Sequence, residues 1–268
     1  MNTDNSARRA NQAVAVALTQ AASAVGRTVF HFVVAVVTLD LPLVLLGWMR
    51  PKEMWVSVGV LSDQGGAILD RVQETAADEA VAVAPRPNQW DELDAAIDEA
   101  RRILLGEANV VLKPEANSDM ITVVEPAAPD YALRVGCNSR AYREGLGDTG
   151  SYFESTARRI QAGSGTRAPD RLTVFIVEDI EGKSGCSLGP LADYVTVDLS
   201  GLVDRGRFGH APWTLAHEIG HACNLWHYGD TLMRPHPEGR KDYLKRWQRA
   251  LFRASGHVRK ARPGPQPA

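Results

Sequence analysis

The run HEIGHACNLWH, residues 217–227, holds three histidines and a glutamate at spacings that suit a metal ion and a base. His217 and His221 are four residues apart, so on a helix their imidazoles share one face, a turn from each other, and can share one ion. Glu218 is offset by one residue. That is too far round to ligate in the same manner, yet near enough to reach a water on the ion, which is the place of a general base. A catalytic zinc takes three protein ligands and keeps one position open. His227 completes the set if the helix stops soon after Asn224 and the chain turns back. Asn is second only to Gly in tolerating the left-handed backbone that such a stop requires. Pro212, just ahead of the motif, suits the first turn of that helix, where an amide needs no intrahelical partner.

Such a site needs a frame. With 268 residues the chain can bury one principal domain and leave segments over at its ends. The 30 basic residues against 32 acidic ones give a net charge of −2 and no electrostatic reason to expect a nucleic-acid partner. Strand-like runs fall at 55–61, 110–112, 121–124, 172–177 and 194–199, and helical ones at 88–105 and around 151–161. In the first helix Leu93, Ile97, Ala100 and Leu104, at spacings of 4, 3 and 4, make one apolar face, with Asp91, Glu92, Asp98 and Glu99 expected to point away. The Gly- and Ser-rich stretch 182–189 reads as a loop. This succession predicts an α+β domain, α/β-like in its alternation, over residues 51–256.

The ends differ in character. Residues 29–49, VFHFVVAVVTLDLPLVLLGWM, are 21 in number and would span roughly 30 Å as a helix, enough to cross a bilayer. His31, Asp40 and Pro42 weigh against this, since a mid-membrane Asp costs about 3 kcal/mol. We expect membrane association through 29–49, with the domain outside the cytoplasm. The alternatives are a soluble or secreted protein and a hydrophobic helix, kinked at Pro42, that packs on the rest of the chain. Upstream, Arg8 and Arg9 precede an Ala-rich run and Ala22-Ser23-Ala24, a poor match to an export signal. At the other end, residues 240–262 carry nine basic residues and one acidic one. Leu244, Trp247, Leu251 and Ala254 recur at helical spacing, so a docked amphipathic helix is preferred to one that touches lipid or nucleic acid, with a Pro-rich tail over 257–268. Three cysteines are too few for a disulfide scaffold. If the domain is exported, Cys137 with Cys186 is the one pair to consider, because Cys223 lies in the motif helix; three small buried thiols is the plainer reading.

Met233 stands six residues beyond His227, in TLMRP. With it the sequence resembles the metzincin zinc peptidases, whose pattern is HExxHxxGxxH followed by a Met-containing turn. The resemblance implies a metzincin-like domain with a twisted mixed sheet, an active-site helix and a C-terminal helix, one catalytic Zn2+, and hydrolysis of peptide bonds in protein or peptide substrates. By position it implies His217, His221 and His227 as zinc ligands, Glu218 as catalytic base and Met233 as the methionine beneath the metal. Asn224 replaces the family's glycine. The segment LADYVTVDLSG, 191–201, resembles the edge strand on which this family binds extended substrates. A tyrosine that some members carry two residues after the methionine is absent, Pro235 standing there; Tyr228, directly after the third ligand, is the candidate oxyanion contact. Cys137 in RVGCNS is similar to the prosegment cysteine that holds some members latent, but it lies inside the domain.

The chemistry this implies is metal-assisted amide hydrolysis: three neutral imidazoles hold zinc, zinc acidifies a water and polarises the carbonyl, and Glu218 takes the proton and passes it to the leaving amine. Two other readings compete. One is a zinc peptidase whose third ligand is a distant carboxylate, Glu238 being the nearest. The other is a membrane-associated binding or scaffold protein that retains zinc without turnover. His210 and His236, which flank the motif, are taken as incidental.

Overall fold

The computed structural model describes residues 29, 33, 40–70, 89–137, 148–163, 171–189, 192–199, 211–235 and 241–261. At its centre is β1 (Lys52–Asp63), a twelve-residue strand whose middle is buried on both faces. Continuous burial is what neighbours on both sides and layers above and below demand of a strand. On one flank β6 (Leu172–Val177) runs parallel to it, Val56 opposite Leu172 through Val60 opposite Ile176. Then follow β9 (Tyr194–Asp198), parallel to β6, and β8 (Gly185–Ser187), antiparallel to β9. β3 (Val110–Lys113) and β4 (Ile121–Val124) lie parallel to successive halves of β1. β2 (Gly66–Ala67) and β10 (Val258–Lys260) pair with its ends antiparallel, and β5 (Arg134–Val135) and β7 (Asp179–Ile180) form a separate two-stranded sheet.

Six α-helices are found among the described residues, so the domain is α+β with a mixed sheet. They are α1 (Asp40–Leu45), α2 (Gln89–Ala108), α3 (Asp130–Leu133), α4 (Asp148–Gly163), α5 (Ala211–Ala222) and α6 (Arg246–Arg253). α4 covers one face of the sheet: Phe153 meets Phe175 of β6 with ring centroids 4.9 Å apart and Tyr194 of β9 at 5.4 Å. Gly59 of β1 leaves room for this, because a Cβ there would come within 3.0 Å of Phe175. α5 packs on β8, β9 and α2. As expected, α2 buries Leu93, Ile97, Ala100 and Leu104. Two of its carboxylates depart from expectation. Glu92 is buried, and Glu99 is half-buried, accepting a hydrogen bond from Trp213 Nε1 of α5 at 3.0 Å. Arg102, aided by Trp213, holds the Glu99 carboxyl below its usual range against the opposing effect of burial.

Several boundaries shift. The Gly- and Ser-rich stretch read as a loop contains β8, whose strand character comes from pairing with β9 rather than from its own residues. β9, the segment expected at the edge, has β6 on one side and β8 on the other, so β8 is the outer strand of this flank. Residues 258–260, assigned to a loose tail, pair with β1. Residues 40–49, assigned to the N-terminal segment, are joined to the domain. Val44 is buried, α1 packs on α6, Asn109 Nδ2 donates to Met49 O at 2.6 Å, and Arg246 donates to Leu45 O at 3.2 Å. Upstream of Asp40, residues 29–39 of the apolar run hold nine apolar residues together with His31 and Thr38. No helix among the described residues is long and apolar enough to cross a membrane, and most of 29–39, like the signal-like residues before it, lies outside them.

The C-terminal helix docks, as the apolar spacing predicts, with Leu244, Leu251 and Ala254 buried. Its Arg253 is among the most buried large side chains of the protein and donates to Ala108 O at 2.6 Å and Arg50 O at 2.8 Å. Ala108 ends α2, so a guanidinium caps the negative end of the longest helix among the described residues.

Candidate metal centre

The α5 helix stops where the motif requires. Asn224 has φ +68°; its N–H donates to His221 O at 3.2 Å, and the N–H of Leu225 reaches back to Gly220 O at 3.0 Å. These two bonds and the left-handed residue make a Schellman stop, in which the last orphan carbonyls find donors and the chain reverses. The reversal brings His227 back to the helix.

The three imidazoles converge on one point. His221 Nε2 is 3.1 Å from both His217 Nε2 and His227 Nε2, and the three ligand atoms lie within 4.8 Å of one another. The opposite ring nitrogens fix the tautomers. Nδ1 of His217 is 2.7 Å from Leu232 O, and Nδ1 of His221 is 2.8 Å from Leu225 O. A carbonyl only accepts, so in both rings Nδ1 carries the hydrogen and Nε2 keeps its lone pair. Two lone pairs 3.1 Å apart repel unless a cation lies between them. Ligands at 2.0–2.1 Å around a tetrahedral zinc lie about 3.3 Å from one another, so the spacing fits the ion. Carbonyl orientation of the distal nitrogen is also what metal-binding histidines use to fix ring and tautomer. Burial falls across the triad, from buried His217 through half-buried His221 to exposed His227, so the cluster opens to solvent on one side.

A turn under the helix completes the frame. Met233 is fully buried, and its thioether presses on Gly220, where a Cβ would sit 2.6 Å from the sulfur. Glycine in mid-helix, otherwise a weak choice, lets the turn approach. Thr231 Oγ1 donates to Tyr228 O at 2.8 Å and receives the Met233 N–H at 3.2 Å, while Tyr228 N–H donates to Met233 O at 2.9 Å. The turn thereby aims Leu232 O at His217. Tyr228 is committed elsewhere, its ring edge-on to Trp247 at 5.2 Å with Lys245 Nζ over it at 4.7 Å.

Glu218 is buried and faces the edge strand. A Cβ on Gly185 would lie 2.5 Å from its carboxylate, so the backbone of β8 runs directly along the acid. Neither Gly185 nor Gly220 was singled out by spacing. The readable signal was a glycine inside the motif helix and one in a stretch read as a loop.

Cys137 and Cys186 form a disulfide, which replaces the reading of three free thiols and rules Cys137 out as a metal-blocking thiol. Cys223 is free and fully buried, and burial pushes its thiol up to about 12. His31, His210, His236 and Glu238 lie outside the described residues. His257, far along the chain, sits 3.8 Å from Asp193 and takes no part in the cluster. A cavity of about 800 Å³ between β4 and the end of α4, lined by Trp55, Arg159, Ile160 and Arg171 among others, includes none of the three histidines. No family model matches the chain, and no curated protein is found to be significantly similar to it.

Proposed function

We propose that the protein is a zinc-dependent metallopeptidase of the metzincin type, hydrolysing peptide bonds in proteins or peptides. The observation that carries this reading is the convergence of three Nε2 atoms from His217, His221 and His227, two of them oriented by backbone carbonyls, beside a buried glutamate. When bound there, zinc supplies Lewis acidity, lowering the pKa of a water toward about 7 and polarising the scissile carbonyl. Glu218 accepts the proton from the attacking water and returns it to the departing amine. Its burial against β8 keeps it in one place, so little reorganisation accompanies the transfer.

The edge strand supplies a place for the substrate. In the β8–β9 pair Asp198 N–H donates to Ser184 O, so by antiparallel alternation the backbone groups of Gly185 and Ser187 point away from β9. An extended peptide can add to that edge, which would bring one of its amides alongside Glu218. The disulfide supports an extracytoplasmic location, and the apolar residues ahead of Asp40 support attachment to a membrane.

Glu218→Gln is the test. It should leave zinc at one per chain and lower kcat/KM on an unfolded protein or peptide library by about a thousandfold, within the range of general acid–base catalysis. Retained hydrolysis in that variant would rule out Glu218 as base. Bound zinc with no hydrolysis by the wild type would turn the reading to a binding protein that keeps the ion.

A further inference from the structure

The edge strand that lies against Glu218 is only three residues long and is not held by β9 alone. β8 pairs with β9 through Gly185–Val197, Cys186–Thr196 and Ser187–Val195. Side chains alternate along a strand, so Gly185 faces α5 and Glu218 while Cys186 faces the other side of the sheet. There it is bonded to Cys137, 49 residues earlier and two beyond the end of β5. That anchor is firm. β5 pairs with β7, Glu181 N–H donates to Val135 O at 3.1 Å, and buried Asp198 of β9 accepts the Ile180 N–H of β7 at 2.6 Å. The path from β8, covalent as far as β5 and hydrogen-bonded beyond it, therefore returns through β5 and β7 to β9, the strand that β8 pairs with.

We propose that the Cys137–Cys186 bridge is a positioning device for the base and the substrate edge: it holds β8 against Glu218 on one face while β9 holds it in plane. This rests on the peptidase reading for its kinetic consequence, but not for its structural one. A three-residue edge strand with a glycine in it has little intrinsic tendency to stay paired, since Gly adds backbone entropy and no packing. Without the bridge, β8 frays from β9. Gly185 then leaves Glu218, and the row of backbone groups offered to an extended peptide is lost. The metal cluster stays, because its ligands and their carbonyl partners all lie between His217 and Leu232.

The test uses the full chain with both cysteines changed, Cys137→Ser and Cys186→Ser, and reads four quantities. The Asp198 amide, which donates to Ser184 O across the β8–β9 pair, should exchange with deuterium at least tenfold faster. The Thr173 amide, which donates to Asp193 O across the β6–β9 pair, should exchange at its old rate. Affinity for Co2+, used as a spectroscopic stand-in for zinc, should stay within threefold. On an eight-residue peptide kcat/KM should fall at least tenfold, chiefly through KM. Equal acceleration of both amides, an unchanged Asp198 amide, or unchanged KM would each overturn the proposal, since a merely stabilising bridge predicts one of these. If the double variant does not fold, the wild type reduced with a phosphine, which converts the bridge to two thiols and itself to the phosphine oxide with oxygen from water, gives the same amide comparison. A wild type that cleaves no peptide would defeat the peptidase reading and leave the exchange result to decide the bridge.

Discussion

Two strips of backbone meet at Glu218, and they are built on opposite principles. The stretch from His217 to Met233 is local: the helix, its stop at Asn224 and the turn at Thr231 orient one another through bonds that span at most 15 residues. β8 is held from outside its own residues, by pairing with β9 a few residues on and by a disulfide to a cysteine 49 residues away. The local strip carries side chains able to ligate a metal and to take a proton, so its residue types announce themselves. The β8 strip contributes backbone and an absence of side chain, and its sequence is quiet. The lesson is that half of this site is specified by chemistry and half by clearance.

Substitutions can break that contrast. Apart from loss of Glu218 itself, the largest effect is expected at Gly185→Val, where a branched side chain would start 2.5 Å from the Glu218 carboxylate. With Glu218 as the proposed base, displacing it by about 1 Å costs on the order of a hundredfold, so kcat/KM should fall by about that much or more while zinc content stays at one per chain. If the variant loses zinc instead, the two strips are not separable. Gly220→Ala probes the local strip by the same means. Alanine gains about 1 kcal/mol in helix propensity but overpacks Met233, at a cost of about 1–3 kcal/mol. A lower thermal midpoint and weaker zinc binding are expected, and a midpoint that rises would show that the turn can yield.

Smaller effects sharpen the picture. Asn224→Ala places at φ +68° a residue that enters the left-handed region less readily than asparagine, so stability should fall by at most about 1 kcal/mol, read as a shift of the urea midpoint at constant slope. Asn224→Gly should be at least as stable as the wild type, since it relieves both the backbone and a buried amide whose nitrogen and oxygen lack hydrogen-bond partners. Least in energy but simple to read is thiol labelling with an alkylating reagent. The folded protein should take up no label, the unfolded unreduced chain one at Cys223, and the reduced unfolded chain three. The raised pKa of Cys223 keeps the folded thiol neutral. Its contribution to stability is complete below pH 9.0 and is lost as pH rises toward about 12.

What could be read in advance follows the same division. Long strands and the α2 helix were legible because burial on two faces or on one stripe leaves a periodic mark, as at Leu93, Ile97 and Ala100. Asn224 was legible as a left-handed stop. β8 was not, since Gly185, Cys186 and Ser187 carry no strand signal of their own and depend on β9 for pairing. The same blindness put β9 at the edge. Arg253 is one of the nine basic residues of 240–262, and nothing in its spacing marks it for burial. Its burial depends on the carbonyls of Ala108 and Arg50, which folding alone brings beside it. Glu99 escaped for a similar reason, because a helix face predicted as exposed meets α5 and its Trp213.

X-ray absorption at the zinc edge of the full-length protein bears most directly on the claim that three imidazoles of this motif hold one catalytic ion. The account predicts one zinc per chain with three nitrogen neighbours at about 2.0–2.1 Å, imidazole outer-shell scattering and a fourth light-atom ligand. A sulfur neighbour near 2.3 Å, or a preparation that binds no zinc with His217, His221 and His227 intact, would contradict it.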